Sequence, residues 1–211
     1  MVGTMYLSTN STLSSTAMVP LLFYVQAFLV FMSVASLPSF IEQRAVFQRE
    51  RMNNSLHLAS FTMATFLAAL PGILFISVVS TTIVVYFAGV HSFGSFLLNL
   101  FLSLVVAESF MHVIGAVVPH YIIGIALGAG CFGMFMLCEG FMVPYRSIPT
   151  YWIWGYYLAF HTYSFRSFMY SHFAYDRSDT KALAVLKEYD MEDVDVAANM
   201  LILVGFAVVL Q

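Results

Sequence analysis

Polar positions along this chain are rare and clustered, and the clusters cut it into apolar runs. Ala17 to Ile41 is a 25-residue stretch without a formal charge. A second runs 31 residues from Leu58 to Ala88, a third 23 residues from Phe96 to Val118, and a fourth 23 residues from Tyr121 to Val143. Crossing the roughly 30 Å of bilayer hydrocarbon takes about 20 helical residues, so each of these runs is long enough to span. A fifth, Val196 to Leu210, is apolar throughout but short for a crossing. Pro20 falls near the start of the first run, where a missing N–H is tolerated. Pro71-Gly72 falls inside the second, and a kink or a break into two pieces is expected there. Little more than Pro119-His120 separates the third and fourth runs, which makes them antiparallel, packed neighbours.

Composition removes the soluble alternative. Of the 211 residues 61% are hydrophobic and 9% charged, whereas a soluble domain carries roughly 25% charged residues. Between Met52 and Tyr145 the formal charges are Glu108 and Glu139 alone. A net charge of −3 with no basic stripe excludes nucleic-acid binding. Cys131 and Cys138, seven apart on one helical face, are too distant to bridge. The expected fold is all-α, a polytopic helical membrane bundle with five recognisable spans.

Lys and Arg set the orientation. Arg44, Arg49 and Arg51 crowd the stretch after the first span, so residues 42–56 are expected to form a cytoplasmic loop. Alternation then places Pro119-His120 inside and residues 144–195 outside. That outer stretch is acidic, with seven Asp or Glu against three Lys or Arg between Asp176 and Asp195. The sequon Asn10-Ser11-Thr12 lands outside, which makes Asn10 a glycosylation candidate. Residues 1–16 lack the basic start and apolar core of a signal peptide. Val2 to Leu7 reads instead as the outer end of an earlier span, in a longer architecture missing material at both ends.

No motif for chemistry is present. There is no G-x-x-x-x-G-K-[ST] phosphate loop, no H-E-x-x-H pair and no G-x-S-x-G elbow. Catalytic residues and metal ligands are therefore expected to be none. More informative is Glu42 to Arg51, which as a helix puts Arg44, Gln48 and Arg51 on one face. Such a helix at the membrane surface either docks on a cytoplasmic partner or simply anchors the chain. Glu108 and Glu139 need a partner, a wet cavity or a proton, and serve either a substrate path or helix–helix hydrogen bonding. Gly124-x-x-x-Gly128, followed by Gly130 and Gly133, marks a span built for close packing. From Tyr151 to Tyr170 ten of twenty residues are Trp, Tyr or Phe, which reads as a segment re-entering or lying on the outer membrane face.

These features, in this order, resemble the membrane domain of ATP-binding-cassette transporters of the G (White) subfamily, a branch of the type-2 ABC exporters with six spans per domain. The resemblance rests on Glu42, Arg44, Val46, Phe47, Arg49 and Glu50 after a span and on Pro71 within the next apolar run. It continues with Val118-Pro119 between spans, Gly140-Phe141 closing a glycine-rich span, and Ile148-Pro149 before a Trp/Tyr-rich segment. Ala107-Glu108-Ser109-Phe110 looks similar to plant half-transporters that export cuticular lipids. Gln43 departs from the pattern, because relatives often carry an acidic residue there.

The resemblance implies that residues 1–211 are a transmembrane domain whose first span is mostly missing and whose last is clipped. It implies ATP-driven outward movement of lipidic or amphipathic substrates at the plasma membrane. Arg44, Phe47, Arg49 and Glu50 would couple to a nucleotide-binding domain that holds ATP and Mg, and a second half-transporter would complete a homo- or heterodimer. The substrate path would be lined by Phe28, Phe31, Met32, Phe135, Met136 and Glu139, with membrane lipids around it. The alternative is a truncated, non-transporting paralogue that acts as a membrane interaction or regulatory partner.

Overall fold

A computed structural model describes residues 15–53, 57–90, 92–174, 180–191 and 193–211. A chain this poor in charge has no water to bond its backbone inside a bilayer, so N–H and C=O groups must pair within the chain, as they do in a helix. The described residues form helices and no strand. They are α1 (Ser15–Met32), α2 (Leu37–Met52), α3 (Leu58–Ala88), α4 (Phe93–Val117) and α5 (Tyr121–Cys138). There follow α6 (Ile153–Leu158), α7 (Phe160–Phe173), α8 (Thr180–Glu188) and α9 (Val196–Leu210). Four helical stretches are long and apolar enough to cross a membrane: Met18–Met52, Leu58–Ala88, Phe93–Val117 and Tyr121–Cys138; Val196–Leu210 is a shorter apolar helix. The helical membrane bundle expected from the sequence is the fold observed. Asn10 lies outside the described residues.

The boundaries differ in instructive ways. The first span does not end before the arginine-rich stretch. A single 3-10 turn, Ser33–Ser36, joins α1 to α2, which then continues through the arginines. The hydroxyls of Ser33 and Ser36 donate to the carbonyls of Val30 and Ser33 at 2.7 and 2.8 Å, competing with the regular ladder. Pro38 in the first turn of α2 then has no N–H to give.

Nor does Pro71 break the second run, for α3 is one helix of 31 residues. Pro71 and Gly72 are both exposed, and no heavy atom lies within 4 Å of where a Cβ on Gly72 would stand. The ring therefore meets no neighbouring helix, and membrane helices tolerate the lost hydrogen bond. α5 ends at Cys138, ahead of the expected Val143, because Gly140 takes φ +98°, a conformation that glycine alone adopts at little cost.

α4 is the hub. Phe96, Leu100, Leu104, Val105, Val106, Ala107 and Met111 are buried, and the helix touches α1, α2, α3, α5, α7 and α9. α3 lies at the edge and buries one narrow stripe, Ile73, Ser77, Thr81, Val84 and Ala88, spaced by three or four residues. The aromatic segment folds as α6 and α7, which turn at Ala159. Phe160, Phe165, Phe168, Met169 and Phe173 of α7 are buried. Two amides from neighbouring helices hold α7: Gln26 donates to the His161 carbonyl at 3.1 Å and Asn99 to the Ser164 carbonyl at 2.8 Å. Asp195 caps α9 by accepting from the backbone N–H groups of Ala197 and Ala198.

Candidate functional site

The arginine-bearing helix α2 is where sequence and geometry converge. Leu37, Phe40, Arg44 and Phe47 recur at intervals of three or four, so they share one face, and each finds a built seat. Leu37 is fully buried. Its side chain occupies the space that a Cβ on Gly124 of α5 would need, and Phe40 does the same against Gly115 of α4. Arg44 Nη1 donates to three carbonyls, Gly115 at 2.6 Å, Val118 at 2.9 Å and Ala116 at 3.1 Å. These carbonyls lie at the C-terminal end of α4, where the last turn has no intrahelical donors and the helix dipole is negative. One guanidinium therefore closes α4 just before the Pro119-His120 link to α5. Phe47 is buried and stacks on Phe61 of α3, ring centroids 4.4 Å apart.

The far side of α2 is open. Glu42, Gln43, Val46 and Arg49 are exposed there and Glu50 is half-buried, while Gln48 and Arg51, on the same face as Arg44, are exposed as well. The four residues expected to face a partner thus divide. Arg49 is free to reach outward, whereas Arg44 and Phe47 point into the bundle. Phe47 is not a solvent-facing anchor, because its ring is the apolar filling between α2 and α3. The signal for this was legible in the spacing of Leu37, Phe40, Arg44 and Phe47, but the charges drew attention to the other face.

The residues proposed to line a path are split as well. Phe28, Phe31 and Met32 stand exposed on α1, with Tyr24 stacked on Phe28 at 5.9 Å. Phe135 is buried among Phe110, Phe160 and His161, with ring centroids 5.6 to 6.0 Å away. Met136 is half-buried. Glu139 is fully buried, and neither carboxyl oxygen has a hydrogen-bond partner among the described residues. Glu108 lies 3.9 Å from His112, one turn along α4, and its neighbour Ser109 accepts from Gln211 at 2.8 Å. The glycines of α5 also divide, since Gly124 and Gly128 receive Leu37 and Met111, whereas Gly130 and Gly133 face open space. Sequence reading overlooked Gln26 and Asn99, uncharged amides inside apolar runs, whose burial is the clue that they hold another element.

Comparison with known proteins gives this arrangement a family. Residues 1–173 match the family model described as ABC-2 type transporter. ABC transporter G family member 11 of Arabidopsis thaliana is 38% identical over 168 residues, 76% of this chain and 24% of that protein. ABC transporter G family member 1 of Petunia hybrida is 31% identical over 179 residues, 82% of this chain and 28% of that protein. ABC transporter G family member STR2 of Medicago truncatula is 26% identical over 220 residues, 99% of this chain and 30% of that protein. The chain spans about a quarter of the length of these curated relatives. It is a multi-pass integral membrane chain, and it belongs to the ABC-2 type membrane domains of the G family of ABC transporters.

Proposed function

We propose that this chain is the membrane-spanning part of an ATP-driven exporter that moves lipidic or amphipathic molecules outward across the plasma membrane. In this reading it works beside a nucleotide-binding domain and pairs with a second half-transporter. The chain carries no G-x-x-x-x-G-K-[ST] phosphate loop. Its own part is mechanical. The observation that supports this is the two-sided character of α2. One side is keyed into α3, α4 and α5 by Leu37, Phe40, Arg44 and Phe47, and the other leaves Arg49 exposed for a partner. The open apolar face of α1, with Phe28, Phe31 and Met32, supplies substrate contacts of low hydrogen-bond selectivity. Phe135 serves the core.

Arg49→Glu in the complete transporter tests the coupling. Arg44 and Arg51 remain, so the positive-inside bias and the topology survive. Export per ATP hydrolysed is expected to fall about tenfold while insertion and surface abundance stay unchanged. Normal coupling in Arg49→Glu would return this stretch to the role of membrane anchor.

A further inference from the structure

Between α2 and the start of α3 lies an open cleft of about 710 Å³, whose lining includes Phe40, Arg44, Phe47, Gln48, Arg51 and Phe61. Its floor is aromatic. Phe61 stacks on Phe47 at 4.4 Å and lies 6.5 Å from Phe40. Its polar wall is the face on which Arg44, Gln48 and Arg51 recur at i, i+4 and i+7, and among the described residues no acidic side chain lines it. Arg44 is held in place by the α4 carbonyls, so its charge stands there before any ligand arrives. Arg51 is exposed and makes no ion pair among the described residues. A cationic wall beside an apolar floor, at the arginine-bearing end of a helical stretch long and apolar enough to cross a membrane, suits a glycerophospholipid bearing net negative charge. The phosphate and its acidic head group meet Arg51 and Gln48, and an acyl chain lies along Phe40, Phe47 and Phe61.

We propose that this cleft binds an anionic phospholipid of the leaflet that α2 faces. The inference rests on the position of α2 but not on transport. Its test needs neither ATP nor export, so its failure leaves the exporter reading standing, and the reverse also holds.

The experiment uses the purified chain in neutral detergent, with dissociation constants for dioctanoyl phosphatidylserine, dioctanoyl phosphatidylcholine and inorganic phosphate read by thermophoresis. The serine lipid is expected to bind at least about tenfold more tightly than the choline lipid. Arg51→Glu is expected to weaken it about tenfold or more, since a charge reversal removes one attraction and adds one repulsion. Arg51→Lys should stay within about threefold of the parent. Helical content and melting temperature of both variants establish that they fold, as an exposed position permits. Equal affinity for the two lipids, unchanged binding in Arg51→Glu, or competition by inorganic phosphate at equal concentration would each overturn the proposal. So would a cleft that takes no lipid because another segment of protein fills it.

Discussion

At the scale of single residues, the most consequential contact is the one Arg44 makes with Gly115, Ala116 and Val118. A charged donor on helix-terminal carbonyls contributes on the order of 2 kcal/mol where it is partly buried. Arg44→Gln is therefore expected to lower stability by about that amount, read as a fall in melting temperature in detergent, and Arg44→Lys by roughly half. Arg49→Gln, on the open side of the same helix, should leave the melting temperature unchanged. Equal losses in Arg44→Gln and Arg49→Gln would show that the α4 carbonyls do not depend on Arg44. The exposed pair Arg146–Asp190 is short, at 2.7 Å, yet solvent screening leaves such pairs contributing little. Nearby, Tyr145 shares a hydrogen bond with Tyr157 at 3.2 Å, which raises its pKa above the usual phenol value.

At the scale of elements, the glycines of α5 show what a motif conceals. Four small residues on one span suggested one close-packing face. The helix instead spends Gly124 and Gly128 on Leu37 and Met111, and leaves Gly130 and Gly133 facing nothing within 4 Å. A Cβ on Gly128 would stand 2.7 Å from Met111. Gly128→Leu is accordingly expected to destabilise by about 1–3 kcal/mol through overpacking. Gly130→Ala should do the opposite and stabilise by up to about 1 kcal/mol, because alanine is the better helix former. Thermal unfolding of the two variants gives opposite signs if this division holds. The helices themselves were legible because charge-free runs of bilayer length have one solution in lipid. The packing was not, since Leu37 and Phe40 look like any apolar residues until Gly115 and Gly124 are placed beneath them. The break expected at Pro71 is absent for a related reason, because no neighbouring helix crowds the ring and α3 runs on through it.

At the scale of the whole molecule, the long helices expose many apolar side chains and the bundle carries a set of polar groups within. Gln26, Asn99, Ser103, Glu139, His161, Thr162 and Ser164 are all buried. Gln26 and Asn99 justify their place by holding α7, whereas Glu139 has no hydrogen-bond partner among the described residues. A buried carboxyl without partners is costly. A buried carboxyl takes up a proton rather than stay charged without a partner, so Glu139→Gln exchanges one neutral group for another of the same shape and is expected to leave the melting temperature at neutral pH unchanged. A lower one would reveal a partner for Glu139. The Arg44 contact has a consequence at this scale too. Because it closes α4 beside the link to α5, α2 cannot part from α4 without stranding three carbonyls, which ties α2 to the α4–α5 hairpin at that point. The weakest point of that connection is the turn Ser33–Ser36, where two serine hydroxyls bond to backbone carbonyls, so under the proposed coupling a push on Arg49 would bend the chain there before it parted α2 from α4.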